Sequence, residues 1–114
     1  MEYKAYYIEE KDGVFSGSVK ILDTPEPHDN EVLISVSYSS LNFKDALCAT
    51  GVKGVAASYP FVPGIDAVGT VVKSKTDAFV EGDNVICSGY KLGMSVNGGF
   101  GNLICVPSEW IVPL

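Results

Sequence analysis

Ser40 to Gly69 reads SLNFKDALCATGVKGVAASYPFVPGIDAVG, a capped helix, a proline-bounded turn and an apolar strand run together. Asn42 is placed to act as an N-cap, and Asp45 stands three residues on as a weaker form of the capping-box partner. Gly51 supplies a left-handed stop, so a helix follows from about Phe43 to Thr50. Tyr59-Pro60-Phe61-Val62-Pro63-Gly64 cannot continue it, because each proline fixes its own φ and pushes the preceding residue toward extended conformations. Ile65 to Val72 is therefore a strand, with Asp66 inside it. A carboxylate in such a run either faces solvent or must be hydrogen-bonded, paired or neutralised, and the pattern leaves both open. Gly69 at mid-strand marks a bulge or a close approach of another backbone or ligand.

Outward from this stretch, Lys4 to Glu9 and Val14 to Leu22 form two strands joined at Asp12-Gly13, a strong hairpin signal. Asp23 to Asn30 is all turn formers and charge, a surface loop that holds the single histidine, His28, as a solvated residue. Glu31 to Ser39 alternates with period two and puts Val32, Ile34, Val36 and Tyr38 on one face. Gly82-Asp83 turns the chain into a strand at Asn84 to Ser88. Gly89 to Gly101 is glycine-rich, with Asn97-Gly98 as its hairpin marker, before strands at Phe100 to Val106 and Trp110 to Val112. Val52 to Ser58 has no clear preference. The tally of short strands, frequent turns and one helix points to a mainly β barrel or sandwich.

Composition narrows the function. Eight lysines, no arginine and fourteen acids give a net charge of -6, which disfavours nucleic acid and anionic membranes and leaves no bidentate phosphate clamp. Three widely spaced cysteines, Cys48, Cys87 and Cys105, fit neither a disulfide framework nor a zinc knuckle and suit a reducing cytoplasm. No secretory signal or membrane-length apolar run is present. Gly99-Phe100-Gly101 lacks the third glycine and the following helix of a dinucleotide fingerprint, and no P-loop or nucleophile elbow occurs. Lys44 and Asp45, on neighbouring helical positions, read as solvated charges.

The strings SLNFKDAL, PFVPGIDAVGTV, the F-x-x-G-D-N-V turn and GGFGNLICVPSEWIVP together resemble the N-terminal GroES-like domain of the medium-chain dehydrogenase/reductase superfamily. They are most similar to its zinc-independent branch, the acryloyl-CoA reductase and quinone oxidoreductase group. The resemblance implies a GroES-like, partly open β-barrel with one or two short helices over residues 1–114. A Rossmann cofactor domain would then lie outside this chain. It also implies an NADPH-dependent reduction of the C=C bond of an α,β-unsaturated acyl-CoA or carbonyl, in a homodimeric cytoplasmic parent, with the isolated domain inactive. Zinc-dependent relatives carry a Cys near the helix start and a Gly-His-Glu on the strand. Here those places hold Asn42-Phe43-Lys44-Asp45 and Gly64-Ile65-Asp66, so no metal is expected. In its place the resemblance puts a polar site of Asn42 and Asp66, with Phe43 against the cofactor. The Gly89 to Asn97 loop, with Tyr90, Lys91 and Met94, is either a surface loop, the reading a loop of this composition favours, or a rim of the substrate pocket. The competing reading is a GroES-like interaction module without catalysis, which has no need of Asn42 and Asp66 beside a proline-shaped turn.

Overall fold

The computed structural model of the chain describes residues 2–51, 59–88, 91–94 and 96–114. Strands β1 (Glu2–Lys11) and β2 (Val14–Asp23) pair antiparallel in unbroken register from Glu2↔Asp23 to Lys11↔Val14. Their two-residue turn is Asp12-Gly13 with φ of 53° and 78°, the positive values that a tight hairpin matched to strand twist requires. Strand β1 runs two residues further at each end than the sequence suggests, and β2 begins at Val14 as expected and runs one residue further, to Asp23.

The second sheet holds β3 (Glu31–Ser39), β4 (Asp66–Ser74), β5 (Asn84–Ser88), β6 (Leu103–Pro107) and β7 (Ile111–Pro113) in the order β6-β3-β4-β5-β7, each pair antiparallel. Helix α1 (Phe43–Thr50) links β3 to the turn that precedes β4. Single bridges, Ala5↔Gly101 and Ile8↔Phe61, tie β1 to the segments that lead into β6 and β4. The architecture is a mainly β, open barrel of GroES-like form, as expected. Its main core lies on one face of the larger sheet, where Val32, Ile34, Ala67, Val71, Val85 and Ile104 are all buried.

Strand β3 departs from simple alternation. Val36 pairs with Gly69, but the next pair is Tyr38↔Val68, so Ser37 is an extra residue and the ladder bulges. The bulge changes the phase of the strand: Val32 and Ile34 stay in the core, whereas Tyr38 turns outward and is 76% exposed. A second register shift, between Leu33 and Ile34, accompanies the burial of Leu33. Gly69 is where the strands close up, since a Cβ there would lie 2.1 Å from the Ser35 carbonyl oxygen. The close approach read from the sequence is thus real.

Asn97-Gly98 makes no hairpin among the described residues. The Asn97 side chain accepts the Val62 N–H at 2.9 Å and Gly98 N–H donates to Val62 O at 2.8 Å, so the pair docks its loop on the proline turn. Asparagine next to glycine was serving a side-chain anchor and a close contact, since a Cβ on Gly98 would fall 2.2 Å from Gly64 O. His28 is exposed, as expected of its loop.

Candidate active site at the head of helix α1

Helix α1 begins at Asn42, whose extended backbone (φ -121°, ψ 160°) marks the N-cap, and ends at Gly51 in the left-handed conformation (φ 80°). Asn42 O accepts the Asp45 N–H at 3.0 Å. Asp45 is not the solvated charge expected of it: it is 1% exposed. Its Oδ2 accepts the Asn42 N–H at 2.8 Å, and its Oδ1 accepts the N–H groups of Gly64 and Ile65 at 3.1 and 3.2 Å. Three backbone donors satisfy the buried carboxylate, which thereby fastens the helix start to the residues before Asp66. Lys44 points to solvent, as expected.

That fastening brings the two sequence-predicted polar residues together. Asn42 Nδ2 lies 3.4 Å from Asp66 Oδ2, and Ser40 stands between them. Ser40 Oγ donates to Asp66 Oδ1 at 2.6 Å, its backbone N–H reaches the same oxygen at 3.2 Å, and its hydroxyl accepts from Asn42 Nδ2 at 3.1 Å. Sequence reasoning missed Ser40. Its signal was a hydroxyl two positions before the N-cap, where the chain leaves a strand. Asp66 itself is half-buried on the outer side of β4.

A cleft of about 240 Å³ opens beside this cluster, walled by Tyr38, Ser40, Asp66, Val68, Ile86 and Ser88. Its floor is apolar and its rim polar, the combination suited to a small planar molecule with one polar edge. Phe43, at the first helical position, is 78% exposed and does not wall the cleft. Lys91 is exposed, and Met94 packs with Ile8, Cys48 and Phe61 rather than on the rim. Tyr90, Gly89 and Ser95, and the Val52 to Ser58 stretch, lie outside the described residues. Behind the cleft, on the core side of β5, burial and then the charge of Asp66 push the Cys87 thiol up to about 11.

The family profile for the alcohol dehydrogenase GroES-like domain matches residues 28–114. This chain belongs to that family. The GroES-like domain is 40% identical over 112 residues to the Bacillus subtilis (strain 168) protein named "Putative quinone oxidoreductase YhfP", covering 98% of this chain and 34% of that protein. It is 37% identical over 106 residues to acrylyl-CoA reductase AcuI of Ruegeria pomeroyi, covering 93% and 32%. The crystal structure of Bacillus subtilis yhfP with NAD bound matches with a TM-score of 0.92 at 39% identity, over 100% of this chain and 35% of that one. E. coli K-12 YhdH with bound NADPH matches with a TM-score of 0.89 at 35% identity, over 96% and 34%. These relatives assign the domain to the quinone oxidoreductase and acrylyl-CoA reductase group of medium-chain dehydrogenases and reductases. The chain spans about a third of the length of the relatives it matches.

The zinc that the wider alcohol dehydrogenase family implies does not suit this donor set. Ser40 and Asn42 are neutral hard donors, and among the described residues no three His, Cys, Asp or Glu side chains converge. No helix among the described residues is long and apolar enough to cross a membrane.

Proposed function

We propose that this domain is the substrate-binding part of an NADPH-dependent, zinc-independent oxidoreductase that reduces the C=C bond of an α,β-unsaturated acyl thioester or carbonyl. The observation that carries the reading is the Ser40, Asn42 and Asp66 cluster at the edge of an apolar cleft. It fits a flat carbonyl compound, or the carboxamide edge of a nicotinamide, against Val68 and Ile86. When bound, NADPH supplies a hydride to the β-carbon, and a proton completes the reduction at the α-carbon.

The chain's own residues hold the oxygen on which charge grows. Asn42 Nδ2 has one contact at 3.1 Å and two at 3.4 Å, long bonds that a better acceptor displaces easily. It is the donor for the developing enolate oxygen, where a fixed dipole stabilises the transition state more than the ground state. Asp66, held on one oxygen by both donors of Ser40, offers its other oxygen to Asn42 Nδ2 and so fixes where the amide sits beside the cleft. Phe43, exposed at the helix start, is the surface on which the cofactor rests. With no arginine and a net charge of -6, the domain leaves the cofactor's phosphates to the part of the protein outside this chain, a Rossmann domain in this reading. The chain alone is accordingly inactive.

Asn42→Ala and Asp66→Ala in the full-length protein test the reading. Each is expected to lower kcat about 100-fold, the usual effect of removing one oxyanion donor or its support, with little change in Tm. Unchanged turnover in both variants removes the cluster from the mechanism.

A further inference from the structure

In the first turn of α1 only Asp45 is buried, and the next buried side chain of the helix, Cys48, lies almost a turn further on. A capping box needs one acceptor at this position, and a Glu or Gln commonly supplies it. Asp45 answers the cap with Oδ2 alone and sends Oδ1 to Gly64 and Ile65, 19 and 20 residues along the chain. Capping does not account for that second oxygen. Nor does stability select it, since a buried charge is costly to desolvate and an apolar side chain often serves a core as well. The turn that receives it is braced from behind. Val62 O accepts the Gly98 N–H at 2.8 Å, Pro63 O the Phe100 N–H at 3.1 Å, and Gly64 O the Gly99 N–H at 2.9 Å. Gly64, with φ of 110°, sits so close to this segment that a Cβ would lie 2.6 Å from the Gly99 nitrogen.

We infer that Asp45 is a positioning residue of the reduction: its two oxygens bridge a braced turn and an otherwise lightly packed helix start, and so set the distance from Asn42 to Asp66. The inference rests on the reading of Asn42 and Asp66 as the groups that serve the reaction. Buried as it is, Asp45 meets neither substrate nor cofactor and acts only through the backbone N–H groups it holds. One of those groups belongs to Asn42 itself, and another to the residue just before Asp66. The side-chain bonds between the pair, at 3.4 Å directly and at 3.1 and 2.6 Å by way of Ser40, form across whatever backbone spacing this bridge imposes. A donor lowers the barrier only where it already stands at the place the charge appears, and a displacement of about 1 Å costs up to about 100-fold in rate.

Asp45→Asn in the full-length protein separates this role from a purely structural one. An amide has a single acceptor oxygen, so it serves the helix or the turn but not both. In the otherwise unaltered protein kcat is expected to fall about tenfold, with KM changed by less than about twofold. In an Asn42→Ala background, where no amide is left to misplace, the same substitution should change kcat by less than about twofold, while Tm falls equally in both backgrounds. Asp45→Glu, which keeps two acceptors on a longer stem, is measured in the same cycle and should also lose kcat only where Asn42 is present. A kcat that neither substitution alters, or that falls equally in both backgrounds, overturns the inference. Failure of the catalytic reading would appear separately, as unaffected turnover in Asn42→Ala and Asp66→Ala. A crystal structure of Asp45→Asn then decides the bridge by itself: Asn42 Nδ2 and Asp66 Oδ2 should move out of hydrogen-bond range, and an unchanged separation overturns it.

Discussion

The two faces of β4 are built under opposite demands. Toward the core, Ala67, Gly69 and Val71 are buried among Val32, Ile34 and Val85, with strand backbones so close at Gly69 that no methyl group fits. Toward the outside, Asp66, Val68, Thr70 and Val72 are all part-exposed or exposed, and Tyr38, Val68, Ile86 and Val112 form a row across four strands. An antiparallel sheet can leave one face to water, but this outer face is more apolar than water alone would select. The inner face is fixed by packing, and the outer face holds its apolar row and its one carboxylate ready for something else. Substitutions one residue apart should therefore report on different properties.

Gly69→Val should break the inner face outright. Its Cβ would meet the Ser35 carbonyl, a backbone atom that cannot step aside, and the expected cost is more than about 4 kcal/mol. A cooperative thermal transition near that of the unaltered chain would refute this. Asp66→Ala, on the opposite face of the strand, should instead leave Tm nearly alone while turnover falls. Asp45→Ala lies between these extremes, because it strands the N–H groups of Asn42, Gly64 and Ile65 in a dry place. About 3 kcal/mol of stability should be lost in urea unfolding, with Asp45→Asn recovering part of it.

Alkaline pH should probe the buried side more gently. Burial, reinforced by nearby carboxylates, pushes the Cys87 thiol up to about 11 and the Cys105 thiol up to about 12, and burial raises Tyr3 and Tyr59 above the ordinary phenol value. The unfolded chain loses thiol protons from about pH 8.5, while the folded chain keeps them. Stability is thus fully present below that pH and should fall as pH rises toward 11 or 12. A Tm that stays flat from pH 8 to 11 would contradict these placements.

Much of this was readable in advance because the signals were local. Asp12-Gly13, the Asn42 cap, the Gly51 stop and the Gly69 close approach each depend on a residue's own backbone freedom or short side-chain reach, and each stands where the sequence puts it. What escaped was set by contacts distant in the chain. Asp45 reads as surface charge until the proline turn brings two N–H groups to it, and Ser40 gains its place only when β4 sets Asp66 alongside. Tyr38 was assigned to the core face because a period-two count cannot see the extra residue at Ser37. Asn97-Gly98 misled for the same reason, since its partner is Val62 and not a returning strand.

One carboxylate also sets a limit on how this molecule can vary. By holding the first turn of α1 and the residues just ahead of Asp66 with the same two oxygens, Asp45 makes those segments shift together or not at all. A tilt of the helix would carry the acid of the neighbouring strand with it, so the spacing of Asn42 and Asp66 survives distortions that would misalign separately anchored groups. Rearranging that pair would mean replacing the clasp beneath it.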